Sequence, residues 1–166
     1  MNTDHFIQLY DYNTWANQRV WDCAMTSTPE DYHKDSDFSV GSVYEQLFHT
    51  MAVESWWIGF LATGEVKFLG DDDSEKCQDR EILRQTWDAI NSKNMHYINR
   101  LSDDELQRKV KVAWWADDAP LITVAQALTQ VANHSTDHRA QTMALLHMLG
   151  YEGVGQDFLA YLQRYM

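Results

Sequence analysis

Residues 124–150 run VAQALTQVANHSTDHRAQTMALLHMLG, with Thr123 before them and no proline or glycine until Gly150. A threonine that can accept a backbone N–H and a glycine that can turn the chain left-handed are start and stop signals of a helix. The spacing predicts one long helix from about Val124 to Leu149. It carries His134 and His138, four residues apart and therefore one turn apart on one face. A rigid helix fixes two such imidazoles in advance, which lowers the ordering entropy of binding a metal ion.

Upstream, three more segments have the same character. Phe6, Leu9, Tyr10, Val20, Trp21 and Ala24 recur at helical spacing and predict a helix from about Asp4 to Met25, with Thr3 as its cap. Pro29 and the polar stretch to Asp37 end it. A second helix starts near Ser39 or Ser42 and stops at Gly64; Ser42 with Glu45 three residues on has the form of a capping box. Its stripe is Val43, Leu47, Met51, Ile58 and Leu61. A third, from about Asp79 to Arg100, carries Ile82, Leu83, Trp87, Ile90 and Tyr97.

Between these lie shorter pieces. Residues 65–78 contain Gly70-Asp71-Asp72-Asp73-Ser74-Glu75, which reads as a solvated acidic loop lacking the glycine and terminal glutamate of a calcium-binding loop. Ser102 and Glu105 suggest a short capped turn. Strand formers from Val110 to Trp115, a turn at Ala116-Asp117-Asp118, and Ala119-Pro120-Leu121-Ile122 predict a two-stranded ribbon. A short amphipathic helix, about Gln156 to Tyr165, finishes the chain. Helices of ~22–26 residues would be ~33–39 Å long, and four of them bury their stripes by packing side by side. The expected fold is all-α: one four-helix-bundle domain over 1–166, with a small β-ribbon insertion before the last long helix. No internal repeat or dividing linker is evident.

The formal net charge of −12 repels phosphate backbones and anionic lipid surfaces, and no run of Lys or Arg offsets it. Neither a nucleic-acid nor a membrane partner is therefore expected. Cys23 and Cys77 form no ligand pair or disulfide framework; Cys23 is expected to pack, and Cys77 to lie in an exposed loop. The first residues lack a signal peptide's basic start and apolar run, and no apolar stretch approaches ~20 residues. A cytoplasmic location is expected.

The remaining histidines divide by position. His49 lies in the second helix beside the stripe residue Leu47, where an antiparallel neighbour can bring it against the fourth helix. With His134 and His138 it would make a facial set suited to Zn²⁺, Ni²⁺, Fe²⁺ or Mn²⁺. The alternative is a core histidine bonded to a carbonyl or an acidic neighbour. His5, His33, His96 and His147 read as surface, loop or helix-flank residues.

These residues sit in a wider pattern. Asn133-His134-Ser135-Thr136-Asp137-His138-Arg139-Ala140-Gln141, followed by Leu149-Gly150, resembles the C-terminal signature of the DinB/YfiT-like superfamily. Tyr12-Asn13-Thr14-Trp15-Ala16-Asn17 is similar to its first-helix motif. Ser39-Val40-Gly41-Ser42, Leu47-Phe48-His49 and Glu54-Ser55-Trp56-Trp57 are similar to its second-helix pattern. The resemblance implies an up-down-down-up bundle, a metal triad of His49, His134 and His138, and a homodimer. Where family members often have a further histidine this chain has Asp137, outside the triad. For Arg139 and Gln141 the motif fits helix packing as well as substrate contact.

By the same resemblance the leading expectation is metal-dependent S-transfer of a low-molecular-weight thiol to a small electrophile, in a pocket lined by Trp56, Trp57, Trp114 and Trp115. The tryptophans fit core or interface packing as well. One alternative is metal-assisted hydrolysis with Glu45 or Glu54 as base, although glutamates on long helices are more often solvated or capping residues. Another is a non-enzymatic, stress-associated interaction protein holding a structural metal; such sites usually have four protein ligands, and only three are found.

Overall fold

Polar caps and apolar stripes define the helices of the computed structural model, which describes residues 2–112 and 115–165, with Asp71 and Tyr165 described by backbone alone. Asn2, rather than Thr3, caps α1 (Thr3–Ala24) by accepting from the His5 N–H. Pro29 does not merely end the first helix: with Thr28 as cap it opens a one-turn helix, α2 (Pro29–Tyr32), since proline at the first helical position sacrifices no bond. The capping box of Ser42 and Glu45 starts α3 (Val43–Thr63), and Gly64, at φ 79°, ends it. The acidic stretch expected as a loop is instead a short helix, α4 (Asp71–Lys76). Carboxylates at a helix N-terminus complement its dipole, the Gly70 N–H donates to Asp73 at 3.0 Å, and Tyr44 anchors the turn by donating to the Ser74 carbonyl at 2.9 Å. Cys77 follows it and is buried, contrary to the exposed position expected; Cys23 is partly buried.

Asp79 caps α5 (Arg80–Ile98), and Ser102 caps α6 (Asp103–Gln107). The ribbon is shorter than the strand formers suggest: β1 (Lys109–Val110) pairs antiparallel with β2 (Ile122–Thr123), setting Lys109 opposite Thr123 and Val110 opposite Ile122. Continued in register, the ladder would set Val112 against Pro120, which has no amide hydrogen to give. Thr123 and Gln126 then form the capping box of α7 (Val124–Met148). The C-terminal helix is also shorter than expected, α8 (Phe158–Leu162) followed by a 3-10 turn over Gln163–Tyr165.

The long helices α1, α3, α5 and α7 pack on one another. Contacts advance in the same sense along α1 and α7, from Tyr10 with Leu128 to Asn17 with Arg139. They run in opposite senses along α1 and α5, from Thr14 with Asn91 to Asp22 with Arg84, and along α3 and α7, from Gln46 with Gln141 to His49 with His134. Two apolar clusters fill the interior. Phe6, Ile58, Leu61, Leu128 and Val131 belong to one; Val20, Leu47, Met51, Leu83 and Leu146 belong to the other. Burying each such side chain contributes ~1.5–3 kcal/mol. Between them α1, α3 and α7 interpose buried polar residues, Asn13, Asn17, Glu54, Ser135 and Arg139. The histidines lie at this level. Among the described residues no helix is long and apolar enough to cross a membrane.

Candidate metal centre

His49 comes from α3, and His134 and His138 from successive turns of α7. Their ring centroids lie 5.1 Å (His49–His134), 4.6 Å (His49–His138) and 4.3 Å (His134–His138) apart. One ring nitrogen from each falls within 4.8 Å of the others. His138 is buried, and the other two are partly so. Among the described residues no Cys, Asp or Glu joins the group, so the set that could hold an ion has three members, fewer than the four of a closed structural site. The neighbouring Asp137 is exposed and does not take part.

Electrostatics keep these rings neutral. Burial, then the nearby His138 and His49, pushes the His134 pKa down to about 4. Burial lowers His49, and burial followed by His49 lowers His138. A neutral imidazole has the lone pair a metal needs.

The geometry fits an ion. The Nε2 atoms of His49 and His134 are 3.1 Å apart. With metal–nitrogen bonds of ~2.0–2.1 Å, adjacent ligand nitrogens are separated by ~2.9 Å in an octahedral and ~3.3 Å in a tetrahedral site. Gln46 Oε1, fully buried, lies 2.7 Å from His138 Nδ1 and accepts its proton, leaving Nε2 as the bare nitrogen. Gln141 in turn accepts from Gln46 Nε2 at 3.3 Å and from the Ser39 hydroxyl. The motif glutamine therefore orients the residue that orients a histidine. His134 Nδ1 is buried without a partner among the described residues, none of whose side chains fixes its tautomer.

Behind the histidines is a network that sequence reasoning missed. Glu54 is neither solvated nor capping: it is 2% exposed. Its Oε1 accepts from Asn13 Nδ2 at 2.8 Å, from Asn17 Nδ2 at 3.3 Å and from Ser135 Oγ at 2.5 Å. Arg139, equally buried, donates to the side-chain oxygens of Asn13 and Asn17, to Thr136 Oγ1 at 2.9 Å and to Gln156 Oε1 at 2.8 Å. Its loss of hydration lowers the guanidinium pKa. The two asparagines thus link a buried carboxylate to a buried guanidinium, each bonding to both. Tyr12 and Arg19 tie the same C-terminal segment to α1, donating to the carbonyls of Gln156 at 2.8 Å and Gly155 at 2.9 Å. Arg139 and Asn13 therefore act in packing, while Glu45 serves its capping box. His5, His33, His96 and His147 are exposed and apart from the triad.

His134 also lines a cavity of about 600 Å³. Its apolar wall is Val53, Trp56, Trp57, Val112, Trp115 and Ile122; Gln126 and Gln130 add amides. Trp56 and Trp57 stack with centroids 4.5 Å apart. Three of the four tryptophans expected at a pocket are thus found there; Trp114 lies outside the described residues.

Comparison with known proteins agrees with this architecture. Protein DinB of Bacillus subtilis is 26% identical over 164 residues, spanning 96% of this chain and 95% of that one. The crystal structure of a DinB-like protein from Bacillus cereus covers 92% of this chain and 95% of its own at a TM-score of 0.70; at 14% identity, that likeness speaks to the fold alone. The family model described as DinB family matches residues 1–165, and the chain belongs to that family.

Proposed function

We propose that His49, His134 and His138 bind a divalent transition metal, and that the protein uses it to transfer a low-molecular-weight thiol to a small electrophile held in the adjoining cavity. The observation that carries this reading is the junction of two features at His134: an open set of three neutral imidazoles and a largely apolar cavity. A divalent ion there would supply Lewis acidity, favouring the thiolate form of a bound thiol. His138, held by Gln46, presents Nε2 inward. The apolar wall excludes water from the reacting groups, which limits competing hydrolysis.

Hydrolysis is less well supported. Among the described residues no carboxylate lines the cavity, and Glu54, the candidate base, has Oε1 engaged by Asn13, Asn17 and Ser135. The test is to incubate the protein, loaded in turn with zinc, nickel, manganese or iron, with a panel of cellular thiols and a model electrophile. Metal-dependent adduct formation that is lost in His138→Ala is the expected result. Absence of any adduct, or turnover without added thiol, would contradict the transfer reading.

A further inference from the structure

We infer that the cavity beside His134 selects an uncharged, planar apolar ligand body, and that Gln130 meets that ligand's polar end. This deepens the transferase reading by assigning the class of its electrophile, and it rests on that reading only for the ligand's role.

Charge is the first ground. Among the described residues lining the cavity none is Asp, Glu, Lys or Arg, although the chain as a whole carries a formal charge of −12. The rest of the described lining is apolar side chains and the amides of Gln126 and Gln130, with His134 at one end. A carboxylate or ammonium set against the apolar wall, away from the histidines, would lose water without gaining a counter-charge, which is unfavourable. Indole supplies the opposite preference: Trp115, 41% exposed, offers flat apolar surface that favours a flat partner, while Trp56 and Trp57, buried and stacked on each other, wall the cavity behind. At about 600 Å³ the space suits a small-molecule ligand.

The amides are the second ground. Gln126, Gln130 and His134 are spaced i, i+4 and i+8, so they form one stripe along α7 on the cavity side. Gln126 Oε1 is committed to the Thr123 N–H at 2.9 Å in the helix cap. Among the described residues none engages the Gln130 amide in this way, and Gln130 is exposed. It can therefore give and accept hydrogen bonds to a neutral polar group such as a carbonyl or amide, one helical turn from His134.

Equilibrium dialysis of the metal-free, full-length chain against naphthylacetamide and naphthylacetate tests this, because the two share a ring system and differ in charge. The amide is expected to bind with a Kd at least about tenfold lower than the acetate. Trp115→Ala should weaken amide binding about tenfold. Gln130→Lys, which sets a cation on the wall, should strengthen acetate binding about tenfold; a misfolded variant would not produce such a gain. Acetate binding as tight as the amide, no measurable amide binding, or an unchanged Trp115→Ala would each overturn the inference. Chelator is present throughout, so the result is independent of whether the histidines hold a metal, which elemental analysis of untreated protein reports separately.

Discussion

Gln46 Oε1 accepts the Nδ1 proton of His138 across 2.7 Å, from a side chain with no solvent exposure. This bond joins α3 to α7 and selects which imidazole nitrogen is bare. On the proposed metal reading, the residue that orients His138 affects binding as well as His138 itself. Gln46→Leu should keep the helical signal by circular dichroism while weakening metal binding by roughly 10–100-fold, read by competition with a chromophoric chelator. Gln46→Glu keeps the acceptor and should restore much of the affinity. Equal affinity in parent and leucine variant would remove Gln46 from the account.

Glu54 and Arg139 make a second prediction. They are linked through Asn13 and Asn17 rather than by a direct ion pair, and both are 2% exposed. Removing either leaves buried donors or acceptors unmatched, so Glu54→Ala and Arg139→Ala should each cost about 3 kcal/mol in urea unfolding. The double variant should cost less than the two together by about 1 kcal/mol. Strict additivity would show that the asparagines do not couple them.

Acid should weaken the metal-free protein in a defined window. His134 titrates at about 4 in the folded chain against an ordinary value of 6.5. Between these values the unfolded chain binds a proton that the folded chain refuses. The contribution of neutral His134 is therefore complete above pH 6.5 and is lost as pH falls toward about 4. His49 and His138 are shifted in the same direction. Urea midpoints measured across this window with chelator present should fall with pH, and less steeply in His134→Gln. Parallel profiles for parent and variant would refute the assignment.

Much of this arrangement is legible in residue spacing. Caps at Ser42, Asp79 and Thr123 and glycines at 64 and 150 bound the long helices, and a spacing of four aligns His134 with His138. The polar network was legible in principle, because Asn13 and Asn17 continue the series Phe6, Tyr10, Val20 and Ala24, and Glu54 falls in the gap between Met51 and Ile58. A polar residue at a stripe position is a buried one, whereas residue type alone suggests solvent. The ribbon and the acidic helix were harder. Strand propensity between 110 and 115 does not reveal that Pro120 falls in the opposing register, and a run of aspartates does not reveal that Tyr44 anchors it.

The central claim is the metal. Protein purified without a histidine tag should carry near-stoichiometric transition metal by elemental mass spectrometry, and His49→Ala, His134→Ala and His138→Ala should each lose it while remaining helical. A parent chain that stays metal-free after reconstitution with zinc, nickel, manganese and iron under reducing conditions would contradict the account.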